Sequence, residues 1–546
     1  MKRLIQALVA ALALCMAVPA GAQEAPIVRS PAGSVRGEAV GDLHVFKGLP
    51  YARPPVGALR WRPPMQAPRW RNVRDATQFG PACYQPPSRE GSIYYNTHAA
   101  MSEDCLTLNI WAPANAHGAP VLVWIHGGSL VSGAGSEAAY DGGRLAQQGL
   151  VVVSINYRLG ALGYLALPQL SAESRRNISG NYGLLDQIEA LRWIRRNISA
   201  FGGNPSSVTI AGESAGALSV MYLMAAPDAR GLFHRAIAQS AYMVTAPDLR
   251  NSSFESFPAA EAIGVWLAGQ LGASDLAGLR SMSAEAIVSG ASRAGYFPFP
   301  AIDGRVLRRQ LVDSFDRGEQ APASILAGFN DGEIRSLRFL LPQPPADAAA
   351  YTSEIRARYG DLADAFLARY PAEQIGESML ATTRDAMYGW TSERLVAKQT
   401  ALGAPSFLYF FDHGYPAADE AGLHAFHASE IPYAFGTTAR TSPRWPAVPQ
   451  TPRELQLSEA MLSYWASFAR NGAPSAAGQP EWRPYGAERA YMAFEDGPRA
   501  GTHLLAGMYE LHEAVVCRRR AQGGVAWNWN VGVVSPPLPP ETPQCR

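Results

Sequence analysis

The chain has 546 residues and a formal net charge of +1, with 17% charged and 47% hydrophobic residues. A disordered chain would have fewer apolar residues and more net charge, and a nucleic-acid-binding protein would have a basic excess, so both classes are excluded. Because no Ser/Gly-rich or charged linker divides the interior, we expect one large domain with a sizeable core.

The first residues have the pattern of an export signal. Lys2 and Arg3 precede an apolar stretch over residues 4–18, and Ala20-Gly21-Ala22 forms a small-x-small cleavage pattern. We therefore predict a signal peptide over residues 1–22 and export to the periplasm or the outside. The apolar stretch is shorter than the ~20 residues that a membrane-spanning helix needs, and no later segment is predicted to span a bilayer.

Apolar runs and helical patterns alternate along the next part of the chain. In order, the predicted elements are strand 121–125, strand 151–155, helix 184–194, strand 208–211 and helix 215–224. This alternation predicts an α/β fold with a large, mostly parallel central sheet and helices on both faces. In such sheets the ligand lies beyond the carboxyl ends of the strands, so we expect the functional residues there.

A serine nucleophile is predicted in the G-x-S-x-G motif of residues 212–216. The motif lies between a predicted strand and a predicted helix, where it presents its serine, Ser214, at the edge of a sheet. The amino terminus of the following helix favours the developing negative charge. Acyl transfer also needs donors for an oxyanion, and the backbone N–H groups of Gly127, Gly128 and Ala215 are the candidates.

A base and an acid are expected after the nucleophile, in the order acid and then histidine. For the acid, the strand-like run 325–329 leads into Asp331 and Glu333, and spacing alone does not choose between them. For the base, His424 and His427 lie in one short segment with little else to explain two imidazoles. Both pairs of candidates stay open at this point.

Motifs spread over nearly the whole mature chain point to one protein family. They are Phe46-Lys-Gly-Leu-Pro-Tyr-Ala52, Pro54-Pro-Val-Gly57, Ser102-Glu-Asp-Cys-Leu-Thr-Leu-Asn109, His126-Gly-Gly128, Asn156-Tyr-Arg158, Gly180-Asn-Tyr-Gly-Leu-Leu-Asp-Gln187, Phe201-Gly-Gly-Asn-Pro205, the serine motif, and His427 with Glu430-Ile-Pro-Tyr433. On these motifs the chain resembles the type-B carboxylesterases, the group of cholinesterases and bacterial p-nitrobenzyl esterases with the α/β-hydrolase fold.

The resemblance implies a catalytic triad. Ser214 matches the family's nucleophile, Glu333 its triad glutamate, and His427 its base, because a Glu-Ile-Pro run follows that histidine at the family's spacing. The family usually has an acidic pair followed by glycine at the triad acid, whereas here a glycine separates Asp331 from Glu333, so Asp331 remains an alternative acid. The resemblance further implies the structural ion pairs Arg60–Glu103 and Arg158–Asp186.

Four cysteines remain after the predicted signal peptide, an even number in an oxidising compartment. Three pairings are possible, and sequence proximity favours Cys83 with Cys105 and Cys517 with Cys545. The first pair also matches the first disulfide loop of the family, and the second would tie down a Pro-rich tail. We thus predict a signal peptide (1–22), a catalytic domain (23–516) and a C-terminal tail (517–546).

The predicted function is hydrolysis of a small-molecule carboxylic ester through an acyl-enzyme, with no metal or cofactor and no nucleic acid. A histidine base predicts a rate that rises across roughly pH 6 to 8. Three alternatives are a metal hydrolase that uses His424, His427 and Glu430, a non-catalytic binding protein of the same fold, and an amidase, lipase or lactonase with the same triad. Aromatic candidates for the pocket wall are Tyr84, Tyr94, Tyr95 and Tyr242, with His98 and Met243.

Overall fold

The computed structural model describes residues 25–252, 257–522 and 530–545. The predicted signal peptide, residues 1–22, lies outside this range. Among the helices of the described residues, none is both long and apolar enough to cross a membrane.

The described residues form short strands and helices in alternation. The strands are β1 (Ile27–Ser30), β2 (Gly33–Arg36), β3 (Glu38–Val40), β4 (Leu43–Pro50), β5 (Arg74–Asp75), β6 (Ala82–Cys83), β7 (Met101–Ser102), β8 (Thr107–Pro113), β9 (Ala119–Ile125), β10 (Val151–Ile155), β11 (Gly203–Glu213), β12 (Arg235–Gln239), β13 (Ser324–Asn330), β14 (Ser406–Phe411), β15 (Ala490–Phe494) and β16 (Pro498–Thr502). The helices are α1 (Gly143–Gln147), α2 (Gly160–Tyr164), α3 (Pro168–Glu173), α4 (Tyr182–Asn197), α5 (Ala215–Ala225), α6 (Ala260–Gln270), α7 (Leu276–Ser281), α8 (Ala284–Arg293), α9 (Leu311–Asp316), α10 (Ala348–Tyr359), α11 (Ala363–Arg369), α12 (Ile375–Arg384), α13 (Trp390–Ala401), α14 (Pro416–Glu420), α15 (Ile431–Phe435), α16 (Pro452–Asn471) and α17 (Met508–Ala521).

One sheet of eleven strands organises the fold, in the order β16-β15-β14-β13-β12-β11-β9-β10-β8-β4-β3. From β15 to β10 all neighbours are parallel, and the strands at either side of this block are antiparallel. The predicted α/β fold with a large, mostly parallel sheet is therefore confirmed. The parallel block places the carboxyl ends of β9, β11, β13 and β14 along one edge.

Helices cover the sheet on both faces, as the buried side chains of β9 show. Val123 belongs to one hydrophobic core together with Ile188 of α4, whereas its neighbour Trp124 belongs to another with Trp465 of α16. Because successive side chains of a strand point to opposite faces, these two cores lie on opposite sides of the sheet. The run 121–125 is apolar without alternation because both of its faces are buried.

The predicted strand 151–155 has the bounds of β10, and the other predicted elements lie inside longer strands and helices of the structure. The predicted strand 208–211 is the last part of β11, and the predicted helices 184–194 and 215–224 lie within α4 and α5. Polar residues at the start of β11 and the ends of α4 do not follow the apolar pattern, so the pattern underestimated these lengths.

Two disulfide bonds join Cys83 to Cys105 and Cys517 to Cys545. Helix α17 runs through Cys517, and the described part of the tail, residues 530–545, packs against the body of the protein through Val531 and Val533, which belong to its main hydrophobic core. Arg519 of α17 donates a hydrogen bond to Ser535 Oγ (2.6 Å), which fixes this segment beside the helix.

Candidate active site

Ser214 lies at the sharp turn between β11 and α5, with backbone angles φ 55° and ψ −122°. A positive φ is disfavoured for a residue with a side chain, so the surrounding contacts must hold this turn. The backbone around the turn leaves no room for a side chain at either glycine of the motif. A Cβ atom on Gly212 would lie 2.5 Å from the carbonyl carbon of Gly216, and a Cβ atom on Gly216 would lie 2.0 Å from Ile125 O. The two glycines of the motif are thus required by space, and they allow a strained turn that places Ser214, which is largely buried, at the end of its strand.

His427 contacts Glu333, and both side chains are buried. The Nδ1–H group of His427 donates to Glu333 Oε2, and the other carboxylate oxygen, Oε1, accepts the backbone N–H of Asn330 at 2.9 Å. Of the two acid candidates, the structure therefore brings Glu333 to the histidine. Asp331 instead forms an ion pair with Arg384 of α12.

The other ring nitrogen of His427 lies beside the acid that precedes Ser214 in the chain. Nε2 is 3.1 Å from Glu213 Oε1, but the two atoms are not aligned for a hydrogen bond, and Oε1 has no such partner within the described residues. Ser214 Oγ likewise has no hydrogen-bonding partner there. Glu213 was not predicted as a functional residue, although the sequence carries a signal for it, a carboxylate directly before the serine of the motif.

A third buried carboxylate, Glu430, completes the surroundings of His427. Its oxygens accept hydrogen bonds from Gln239 (2.7 Å) and Asn330 (2.6 Å), and burial raises its pKa to about 6. Burial also raises the pKa of Glu213, partly offset by His427. For His427 burial alone would lower the pKa, but the carboxylates of Glu213, Glu333 and Glu430 outweigh it and raise that pKa above its usual value.

The three predicted oxyanion donors lie around the serine. Gly127 follows β9, and a Cβ atom there would lie 3.3 Å from Ser214 Cβ, so this backbone passes directly beside Ser214. Gly128 has φ +97°, which favours glycine. Within the described residues, the N–H groups of Gly127, Gly128 and Ala215 donate to no protein acceptor. These free donors can stabilise a negatively charged oxygen on the ester carbon.

Aromatic side chains form a wall beside His427. Tyr94, from the first disulfide loop, donates its hydroxyl proton to His427 O (2.8 Å), and the ring of Tyr388 lies 5.3 Å from the imidazole. The ring of Tyr242 in turn lies 5.9 Å from that of Tyr388. Tyr94 and Tyr242 were predicted and Tyr388 was not; it lies in a π-helical segment, a rare structure that is common at functional sites.

Other sequence candidates lie elsewhere. Tyr84 packs in a separate cluster with Trp61 and Leu162, and Met243 is buried. His424, His427 and Glu430 do not lie on a common helical face, since α15 begins only at Ile431. In the described part of the chain, they also do not form a group with the spacing of metal ligands; Asp331, Asp412 and His424 are the one such group there. The implied ion pairs are present: Arg60 with Glu103 and Arg158 with Asp186.

The chain is similar to known esterases over most of its length. The sequence profile of the carboxylesterase family matches residues 24–511. The chain is 36% identical over 505 residues to the fumonisin B1 esterase of Sphingopyxis macrogoltabida (89% of this chain, 90% of that protein) and 35% identical over 464 residues to the para-nitrobenzyl esterase of Bacillus subtilis strain 168 (82% and 90%). A solved structure of a PNB esterase superimposes with a TM-score of 0.78 at 33% identity, covering 89% of this chain and 99% of that one.

Proposed function

Since this chain belongs to the carboxylesterase family, a family of serine hydrolases that act on carboxylic esters, we propose that Ser214, His427 and Glu333 form its catalytic triad. The observation that carries this proposal is the contact of the buried Glu333 carboxylate with Nδ1 of His427, next to the strained turn of Ser214. Ester hydrolysis then proceeds through an acyl-enzyme formed on Ser214.

In the first half of the reaction, Ser214 Oγ attacks the ester carbonyl carbon while His427 Nε2 takes the hydroxyl proton. The carbonyl oxygen becomes negatively charged and is held by the N–H groups of Gly127, Gly128 and Ala215. When the carbon–oxygen bond to the alcohol breaks, the imidazolium returns its proton to the leaving alkoxide. The acyl group remains on Ser214.

In the second half, His427 takes a proton from water, and the hydroxide attacks the acyl-enzyme. The acid leaves, and Ser214 regains its proton from the imidazolium. Glu333 accepts the hydrogen bond from Nδ1–H throughout without taking the proton, so it fixes the tautomer in which Nε2 is free to act as the base. In the resting enzyme, the carboxylate of Glu213 favours a proton on Nε2 of His427 and therefore opposes the tautomer in which Nε2 is free.

The substrate is proposed to be a small-molecule ester with an apolar or aromatic part. Tyr94, Tyr242 and Tyr388 stand around the base, and rings of this kind bury flat apolar groups. The names of similar proteins, a fumonisin B1 esterase and a para-nitrobenzyl esterase, point to small organic esters. Rates on matched short-chain esters, long-chain esters, amides and lactones would separate an esterase from a lipase, amidase or lactonase.

We further propose export by the predicted signal peptide. The two disulfide bonds support this proposal, because such bonds persist in oxidising compartments and are rare in the cytosol. The amino-terminal sequence of the protein recovered from the periplasm or the medium tests it: cleavage after Ala22 supports export, and an uncleaved cytosolic protein contradicts it.

A fluorophosphonate probe followed by peptide mass mapping tests the triad. We expect stoichiometric labelling of Ser214 in the wild type, no label in Ser214→Ala, and a large loss of labelling rate in His427→Ala. Ser281→Ala is the matched control, because Ser281 is an exposed serine at the end of α7. A folded wild-type protein that takes no label would contradict the triad and favour a non-catalytic binding protein.

A further inference from the structure

The segment that carries His427 contains a second histidine in a strained backbone conformation. His424 has φ 50°, a left-handed conformation that residues with a Cβ atom rarely adopt. Ala428, directly after the base, is also left-handed, with φ 70°. Such strain persists only where neighbouring groups hold the backbone in place. His427 thus lies between two strained residues, and its position depends on what fixes them.

Two aspartates hold His424. Its Nε2 lies 2.9 Å from Asp412 Oδ1, and its Nδ1 lies 2.8 Å from Asp419 Oδ1. Because a carboxylate can only accept, both ring nitrogens carry a proton and the ring is an imidazolium. Asp412 directly follows β14 and its own N–H donates to Phe494 O of β15 (2.8 Å). Asp419 belongs to α14, so His424 ties its loop to a strand end and to a helix.

The same loop is bonded to the turn that carries Glu333. The N–H of Gly332 donates to Ala425 O (2.8 Å), and the Asn330 amide donates to Phe426 O (2.8 Å). At the start of the loop, the N–H of Leu423 donates to Ala418 O of α14 (2.9 Å), and the N–H of Phe426 donates to His424 O (3.0 Å). The side chain of His424 adds the tie to Asp412 at the end of β14 and a second tie to α14 through Asp419.

We propose that His424 is a positioning residue for the catalytic base: its ion pairs with Asp412 and Asp419 hold residues 424–428 in the strained form that places His427 against Glu333. This inference rests on the proposed role of His427. His424 itself does not touch the reacting atoms.

The attachment depends on pH. The charged groups that face His424 are Asp412, Asp419 and Asp331. Arg384 and Arg335 act on Asp331, and Arg499 acts on Asp412. The hydrogen bond to Asp412 raises the pKa of His424 to about 9, against the effect of burial and with the help of Asp419. Since the folded pKa lies above the usual 6.5, the attachment is complete below pH 6.5 and is lost as the pH rises through about 9.

The test compares kcat per active site in wild type and His424→Asn, with active sites counted by fluorophosphonate titration. Asparagine tolerates the left-handed backbone but cannot carry the charge. Near neutral pH we expect kcat of the variant to fall about tenfold, because the two charged hydrogen bonds of His424 are lost. We expect KM to change less than about twofold, because the substitution removes no contact with the substrate. With the titration of His427 fitted separately in each enzyme, the ratio of wild-type to variant kcat should fall as the pH rises through about 9.

Two further variants make the test specific. His503→Asn is the matched control, because His503 is exposed and also left-handed (φ 56°), and it should leave kcat unchanged. Asp419→Asn removes a half-exposed partner without replacing the histidine. We expect a smaller loss of kcat in Asp419→Asn than in His424→Asn. The ratio of the kcat of Asp419→Asn to that of His424→Asn should fall at a lower pH than the wild-type ratio does, because the loss of Asp419 lowers the pKa of His424.

The outcomes separate the two proposals. Equal kcat per active site in wild type and His424→Asn would overturn the positioning role while leaving the triad intact. A kcat ratio that does not change with pH would also overturn it, because the loss would then be a structural effect of the substitution. A wild-type protein that takes no fluorophosphonate label would overturn both proposals.

Discussion

Replacing Glu333 with glutamine tests the proposed triad through a single proton. Glu333 Oε1 accepts the backbone N–H of Asn330, and Oε2 accepts from Nδ1 of His427. In Glu333→Gln the amide oxygen must stay on the Asn330 side, since that N–H needs an acceptor and would otherwise be buried without one. The amide NH₂ then faces Nδ1 and makes it an acceptor. The ring proton moves to Nε2, and the base can no longer take the proton of Ser214.

The expected loss follows from this wrong tautomer. A triad whose histidine is held in the wrong tautomer loses about 10⁴-fold in kcat, so we expect a fall of about 10³- to 10⁴-fold, or about 4–5.5 kcal/mol in the activation barrier. The folded structure should persist, because glutamine has the same shape and both of its polar groups have partners. Glu333→Asp keeps the charge but shortens the side chain, and we expect a loss of about 10–100-fold.

Asp331→Asn is the companion measurement for the alternative acid. Asp331 pairs with Arg384 and does not contact His427, so we expect a loss of kcat below about tenfold. The assay is kcat on a chromogenic short-chain ester, corrected for active sites, with the melting temperature of each variant as a check on folding. A larger loss in Asp331→Asn than in Glu333→Gln would refute the assignment of Glu333 as the acid.

Three further predictions concern the charge near Nε2, the tail and the core. Glu213→Gln should lower the pKa of His427 and shift the acidic limb of the kcat/KM profile down by about one pH unit, since the carboxylate that favours the charged ring is removed; an unmoved limb would contradict this. Replacing Cys517 and Cys545 with serine removes a disulfide bond that joins residues 28 positions apart. The free energy of unfolding, measured by chemical denaturation, should fall by about 3 kcal/mol, and kcat per active site should stay unchanged. Arg158→Met leaves a buried aspartate unpaired and should cost about 3–5 kcal/mol by the same measurement, far more than the loss of an exposed pair.

The sheet and the strained turn at Ser214 could be predicted because their patterns are local. An apolar run such as 121–125 predicts a strand buried on both faces, and the G-x-S-x-G motif is a run of five adjacent residues, although the space that requires Gly216 is set by Ile125 of the neighbouring strand β9. The acid could not be chosen from the residues alone, since Asp331 and Glu333 follow the same strand. What separates them is the side from which the loop with His427 approaches, and this is a tertiary property.

The contacts around the base were also not predictable from spacing. Glu213, at the end of β11, lies beside Nε2 of His427. Glu430 accepts hydrogen bonds from Gln239 at the end of β12 and from Asn330 at the end of β13. A sequence shows that these residues are ionisable or polar. Their effect on the pKa of His427 arises because the fold buries the carboxylates next to the imidazole.

The glycine between the two acid candidates explains why the second one contacts the base. Gly332 has ordinary backbone angles (φ −87°), so it is not required by conformation. It is required by space: a Cβ atom there would lie 2.6 Å from Leu423 O and 2.8 Å from Ala425 O, because the loop with His427 crosses directly over this residue. The crossing loop is bonded to the N–H of Gly332, and the side chain that follows this contact, that of Glu333, reaches Nδ1 of His427. Asp331 precedes the crossing and pairs with Arg384. The order Asp-Gly-Glu is therefore compatible with the proposed triad, and the backbone crossing at Gly332 determines which carboxylate contacts His427.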